Sequence, residues 1–301
     1  MDGISAIPIF VAVTEQGGFA AAGRELGVSK SAVSKRISQL EARLGMQLLH
    51  RTTRKLSLTE AGERYLENAV IALAAAREAE DAVAELQGDP IGELKISVPM
   101  SFGRLHVAPL IPEFLKQYPK IELNMVMDDR FVDLVEGRFD MAIRAGTLPD
   151  SSLIARKIAP CHNVLCASPE YLAKYGEPKE PKELIHHNCI HYSYFSDFNE
   201  WTFIGANDLI RIETSGQYQV NNSEALLEAV LGGIGVTRLP TFVAGPHIKT
   251  GRLVRILKPY GLPLQTIYAV FRERKYLPSK VRAFSDFLVN RLGKGTPAWD
   301  A

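Results

Sequence analysis

At Gly88-Asp89-Pro90 the hydrophobic period of the chain changes, and that break divides the fold into two parts. Upstream, Tyr65, Ala69, Ala72, Ala76, Ala79, Val83 and Leu86 follow spacings of four and three, which is the a/d seam of a long helix. Thr59 is placed to cap that helix, and Glu60 and Glu63 suit the positive end of its dipole. Running to about Gln87, it would be about 43 Å long, too long for the small preceding segment to cover. A regular seam of small residues favours a partner helix over packing within the chain. Downstream, "LKISVP" and "IELNMVM" alternate as strands, with a helix expected from Leu105 to Tyr118 between them. "FVDLVEG", "FDMAIRAG", "NVLCAS", "PEYLAKYG", "SEALLEAVLGGIGVTRLP" and "QTIYAVF" continue the alternation, and a last helix runs from Ser279 to Leu292. Strands alternating with helices predict βαβ units, parallel sheets and two α/β lobes. "GKGTPAWDA" has the composition of a frayed tail.

The first 59 residues contain three short helical runs: Ile4–Thr14, Phe19–Leu26 and Lys30–Leu44. Gly17-Gly18 ends the first, Gly27 turns the chain after the second, Ser29 caps the third and Gly45 ends it. In the third run Val33, Ile37, Leu40 and Leu44 make one apolar stripe, and Ser31, Ser34, Lys35 and Ser38 fall opposite it. Two helices joined by a short Gly-containing turn, with a polar-basic outer face on the second, form a helix-turn-helix. The β-rich Leu48–Leu58 that follows carries His50, Arg51, Arg54 and Lys55 at a basic tip, as a wing does.

The net charge of +1 conceals a sharp polarity. From Arg24 to Lys55 there are eight Lys/Arg against two Asp/Glu, and from Thr59 to Asp89 two against eight. A local basic block is the footprint of a phosphate-binding surface. The N-terminus has no positive region followed by an apolar core, and no segment has the roughly 20 apolar residues that span a bilayer. A cytoplasmic protein with no membrane partner is expected. Three cysteines, Cys161, Cys166 and Cys189, suit reduced thiols. A sensor role would need an exposed thiol of lowered pKa, whereas Cys166 lies in an apolar run. His186-His187 and His191 lack zinc-type spacing, so neither metal nor cofactor is expected.

"GFAAAGRELGVSKSAVSKRISQLEARLGMQLLHRTTRKLSLTEAG" closely resembles the N-terminal signature of LysR-type transcriptional regulators. The acidic helix, "FDMAIRAG" and "LEAVLGGIGVTRLP" extend the likeness over nearly the whole chain. The expected architecture is α/β overall. It comprises a winged helix-turn-helix (1–59), a linker and dimerisation helix (60–88), and a bilobal effector domain like the periplasmic binding proteins (91–301). The two lobes are expected at about 91–163 plus 265–294, and 164–264. The resemblance implies a non-enzymatic, homodimeric or homotetrameric regulator that binds double-stranded promoter DNA and seats a small-molecule effector between the lobes. RNA polymerase is a further partner of such a regulator.

Carried over by position, Lys30, Ser31, Ser34 and Lys35 are the base-proximal set, because recognition helices present their N-terminal residues to the groove. The family often has Gln and Pro at the first two positions. Lys30 donates to guanine O6/N7 where Gln pairs with adenine, so a different base preference is implied. Arg36 and Thr53 would lie near phosphates, with Arg51 on the wing and Arg54 at its tip over the minor groove. For the effector, ligands bind beyond the carboxyl ends of strands, near helix starts. "SVPMSFG" brings Ser101 and Phe102 there, and "YQVNNSEAL" brings Asn222 and Ser223. The two serines read either as caps or as ligand contacts, and Arg144 either as a counter-charge to a carboxylate or as a surface ion-pair partner. Met100, Phe102 and Phe195 read equally as apolar lining and as core. A small-acid enzyme lacks support from any nucleophile elbow, phosphate loop or metal spacing. An architectural DNA binder would leave some 200 residues of α/β domain without a role.

Overall fold

The computed structural model describes residues 4–51, 56–84, 90–130, 133–134, 137, 139–146, 153–194, 199–206, 208–272, 277–297 and 299–300. They form two units, one within Met1–Gly88 and one within Asp89–Leu134 and Phe139–Ala301.

In the first unit a 3-10 turn at Ile4–Ala6 leads into α1 (Ile7–Glu15), followed by α2 (Phe19–Glu25) and α3 (Lys30–Leu44). Gly27, at φ +65°, takes the left-handed conformation that turns the chain between α2 and α3, where a side chain would be strained. The Oγ of Ser29 accepts from Ala32 N at 3.2 Å and caps α3, which Gly45 closes at φ 68°. Val33, Ile37 and Leu40 are fully buried against Phe10, Val13 and Ala22. Each buried side chain of that kind is worth about 1.5–3 kcal/mol, so this stripe sets how α3 is rotated. Leu44, expected to continue the stripe, is 39% exposed because the unit's core does not reach the last turn.

β1 (Leu49–Arg51) and β2 (Leu56–Leu58) pair antiparallel as the stem of the wing. Then α4 runs over Glu60–Ala84, about 37 Å at the usual rise. The hydroxyl of Thr59 accepts from Gly62 N at 3.0 Å and donates to Gln47 O at 2.7 Å. A Cβ at Gly62 would lie 2.1 Å from Leu48 O, so only glycine lets the helix seat on the wing's base. Tyr65 meets Phe10 edge-on at 5.2 Å, and Ala69 is buried. The first turns of α4 thus belong to the core of the first unit, while Ala72, Ala76 and Ala79 are exposed. Residues 85–89, including Leu86, and the side chain of Val83 lie outside what is described.

The second unit opens with β3 (Gly92–Val98). The helix expected from Leu105 starts instead at Met100. It passes from α5 (Met100–Phe102) through a π turn (Gly103–Val107) and a 3-10 turn (Ala108–Leu110) into α6 (Ile111–Gln117). Pro109 has no N–H for the carbonyl four residues back, so the hydrogen-bond register shifts and the helical period is blurred. β4 (Ile121–Met127), β5 (Met141–Gly146) and β6 (Leu153–Cys161) follow, and most of "FVDLVEG" lies outside the described residues. The chain then crosses at His162 into β7 (Asn163–Ala167), α7 (Pro169–Tyr175) and β8 (Cys189–Tyr192). A hairpin of β9 (Glu200–Ile204) and β10 (Leu209–Glu213) leads to β11 (Gln219–Val220), α8 (Ser223–Leu231), β12 (Val236–Pro240), α9 (Thr241–Lys249) and β13 (Val254–Arg255). β14 (Gln265–Arg272) and α10 (Ser279–Leu292) return to the first sheet.

That sheet has the order β4-β3-β5-β14-β6, and the second β11-β8-β12-β7-β13. Both are mixed rather than parallel. β14 runs antiparallel to β5 and β6, and β7 antiparallel to β12 and β13, because β7 and β14 are the strands that cross from one lobe into the other. The tail expected to fray is instead packed. Trp299 is 7% exposed within the main core, and Asp300 Oδ2 lies 2.8 Å from His162 Nδ1.

Candidate nucleic-acid interface and ligand cavity

α3 turns two chemically different faces outward and inward. Opposite the buried stripe, Lys30, Ser31, Lys35 and Arg36 are exposed and Ser34 is half-buried. Ser31 shares a hydrogen bond with the capping Ser29, Oγ to Oγ at 2.9 Å. Lys30, Lys35 and Arg36 enter no ion pair among the described residues, so three cations stand in solvent near the helix start. Arg51 ends β1, though its side chain is not described, and Thr53 and Arg54 lie outside the described residues. The wing's base is tied to α3 by the carboxylate of Glu41, which accepts the N–H groups of Leu48 and Leu49 at 2.9 and 3.2 Å.

The second unit contains a cavity of about 510 Å³ with walls from both lobes. Among the residues expected to meet a ligand, Ser101, Phe102, Arg144 and Ser223 line it. Met100 and Asn222 do not: Asn222 Nδ2 donates to Met100 Sδ at 3.2 Å. Asn222 Oδ1 meanwhile caps α8 by accepting from Glu224 N and Ala225 N, so local helix chemistry claims it. Phe195 lies outside the described residues.

Ser101 is 4% exposed, and its Oγ has no hydrogen-bond partner. A buried hydroxyl left unpaired costs about 1–3 kcal/mol, which a ligand oxygen or nitrogen would relieve. Arg144 is 7% exposed rather than on the surface. It donates to Ser97 Oγ at 3.3 Å and to Ile143 O at 3.2 Å. Burial lowers its pKa, and the carboxylates of Asp128 and Asp129 offset this. Arginine remains charged in either case, so the first lobe offers the cavity a buried cation.

Among the wall residues that sequence reasoning passed over are Asp129, Tyr192, Trp201 and Arg238. Burial raises the pKa of Asp129, which accepts from Met100 N at 2.8 Å and is hydrogen-bonded to the hydroxyl of Tyr192. That phenol is held protonated, first by burial and then by the neighbouring carboxylate. The guanidinium of Arg238 lies 5.4 Å from the Trp201 ring centre, and burial pushes it down to about 10. Its signal in the sequence was a charge inside the otherwise apolar "GVTRLP". Trp201, Tyr192 and Asp129 left none, since only the folded sheets bring them together. Apolar walls with the buried guanidinium groups of Arg144 and Arg238 and the unpaired hydroxyl of Ser101 suit a small organic acid.

All three cysteines are buried free thiols, each pushed up to about 12 chiefly by burial. Among the described residues no cluster of His, Cys, Asp or Glu could hold a metal, and no helix is long and apolar enough to cross a membrane.

Comparison with known proteins gives a consistent pattern. Residues 4–63 match the bacterial regulatory helix-turn-helix proteins of the lysR family, and residues 87–293 match the LysR substrate binding domain. An HTH-type transcriptional regulator of Xanthomonas campestris pv. campestris is 40% identical over 292 residues, spanning 94% of this chain and 84% of that protein. The HTH-type transcriptional regulator PtxR of Pseudomonas aeruginosa is 39% identical, spanning 95% and 91%. The solved structure of CrgA, a LysR-type transcriptional regulator from Neisseria meningitidis, aligns with a TM-score of 0.62 at 34% identity, covering 95% of this chain and 97% of that one.

Proposed function

The chain belongs to the LysR family of transcriptional regulators, and from that premise we propose that it reads promoter DNA through α3 under the control of a carboxylate or aromatic metabolite held in the cavity. Lys30, Ser31, Ser34 and Lys35 meet base edges in the major groove. Arg36, Arg51 and Thr53 meet the backbone, and Arg54 reaches the minor groove. Ser101 Oγ and Arg144 receive the acid group, with Ser223 beside it, and Phe102 and Trp201 cover the apolar body. The observation that carries this reading is the buried, partnerless hydroxyl of Ser101 in one cavity with the buried cation of Arg144.

The protein acts as a homodimer or homotetramer in the cytoplasm, joined through α4, with RNA polymerase as a further partner and no catalytic role. Effector binding shifts the population between two lobe arrangements, and it can do so only by the difference in its affinity for them. The test is a footprint on selected operator DNA with and without each member of a carboxylate panel that includes benzoate and succinate. At least one acid that raises the melting temperature should change the footprint. A footprint unchanged by every acid that binds overturns the control mechanism.

A further inference from the structure

Beyond α10, Trp299 inserts its ring among three others: His106 at 4.4 Å, Phe102 at 5.9 Å and Phe242 at 6.3 Å between centres. Phe102 and His106 belong to the helical segment of the first lobe, and Phe242 to α9 of the second. Phe102 and Phe242 also line the cavity, whereas Trp299 does not. The indole therefore touches both lobes behind two of the cavity's aromatic walls. Two further contacts hold it. Asp300 Oδ2 meets His162, at the crossover between lobes, and the Trp299 carbonyl sits so close to α9 that a Cβ at Gly245 would lie 2.6 Å from it. His106 Nε2 is 3.2 Å from Phe242 O and joins the lobes beside the ring.

Trp299 Nε1 is buried with no hydrogen-bond partner. A tryptophan retained at a site that leaves its N–H unpaired is held there by its ring faces rather than by its polar end. We propose that Trp299 is a positioning residue of the ligand cavity: it clamps Phe102 and Phe242 from outside, so that the C-terminal tail sets how far the two walls can part. This rests on the reading that the cavity holds the effector, but the clamp itself is measurable without any ligand.

Hydrogen exchange on the full-length protein is the test. Trp299→Ala should speed exchange about tenfold at residues 102–107 and 242–249, which is a loss of about 1.4 kcal/mol, while β3, β5 and β14 stay at the wild-type rate. Trp299→Phe, which keeps a ring and drops the N–H, should restore protection at both segments. Gly245→Ala pushes on the tail from α9 and should reproduce the faster exchange at residues 102–107, which lie off its own helix, so that segment carries the reading if Trp299→Ala does not fold. Unchanged exchange at the two segments overturns the clamp, and so does uniform acceleration that includes β3, β5 and β14. Because no ligand is added, failure of the clamp and failure of the effector reading register separately.

Discussion

Glu41 accepts the backbone N–H of Leu48 at 2.9 Å and, through the same oxygen, that of Leu49 at 3.2 Å. Both leucines are 2% exposed, so water cannot readily replace the carboxylate. Hydrogen bonds to a charged group contribute about 1.5–3 kcal/mol, and orphaned donors cost a similar amount. Glu41→Ala should lower unfolding stability by about 2 kcal/mol in urea and weaken operator binding by loosening the wing's base. Glu41→Gln keeps a carbonyl acceptor and should lose less than half as much. Equal losses in the two variants would point to the helix rather than to these bonds.

Ser34 and Lys35 lie on the exposed side of α3, and their contribution should depend on DNA sequence. Ser34→Ala and Lys35→Ala should each weaken operator binding by about 1–3 kcal/mol, with a smaller loss on nonspecific DNA. Titrations on both DNAs at several salt concentrations decide the matter. Equal losses with a salt slope reduced by about one would assign Lys35 to a phosphate.

The cysteines make two measurable statements. Native protein at pH 8 should leave a thiol reagent such as DTNB essentially unconsumed, and unfolding in guanidinium should release all three. The pH dependence follows from the same burial. Each thiol titrates near its ordinary 9.0 when unfolded and at about 12 when folded, so the folded state holds the proton longer. That contribution to stability is complete below pH 9 and is lost as pH rises toward 12. Urea midpoints should therefore fall between pH 9 and 11, and more shallowly once Cys166 is replaced by Ala.

Ala72, Ala76 and Ala79 are exposed along α4, in line with the packed Tyr65 and Ala69. If that row faces a second copy, Ala76→Glu places two carboxylates against each other across the seam. Sedimentation should then show a smaller species than the wild type at the same concentration, with helix content nearly unchanged. An unaltered oligomer would assign the association to another surface.

What could be read along the chain was local. α3 begins at Lys30 and ends at Leu44 as the Ser29 cap, the apolar stripe and Gly45 require, because each signal acts within a few residues. α10 likewise runs from Ser279 to Leu292. The start of the helix at Met100 was hidden because the π turn at Gly103–Val107 blurs the apolar period around Leu105. The fault with the tail was one of composition: glycines and a proline suggested disorder, while a single tryptophan buried it. The cavity was half legible. Ser101 and Arg144 adjoin strand ends and were accessible to a rule about strands. Trp201, Tyr192 and Arg238 come from three separate strands of the second lobe, and their approach to Ser101 depends on how the two sheets are connected.

That connection also governs the order in which the chain can fold. The second lobe is one contiguous stretch from β7 to β13, whereas the first is interrupted by it and waits for β14. β14 bridges β5 and β6, which have no other route into one sheet. On the ribosome, therefore, the lobe made later is complete first. β6 remains an unpaired edge until about a hundred further residues have emerged, and such an edge invites pairing with another chain.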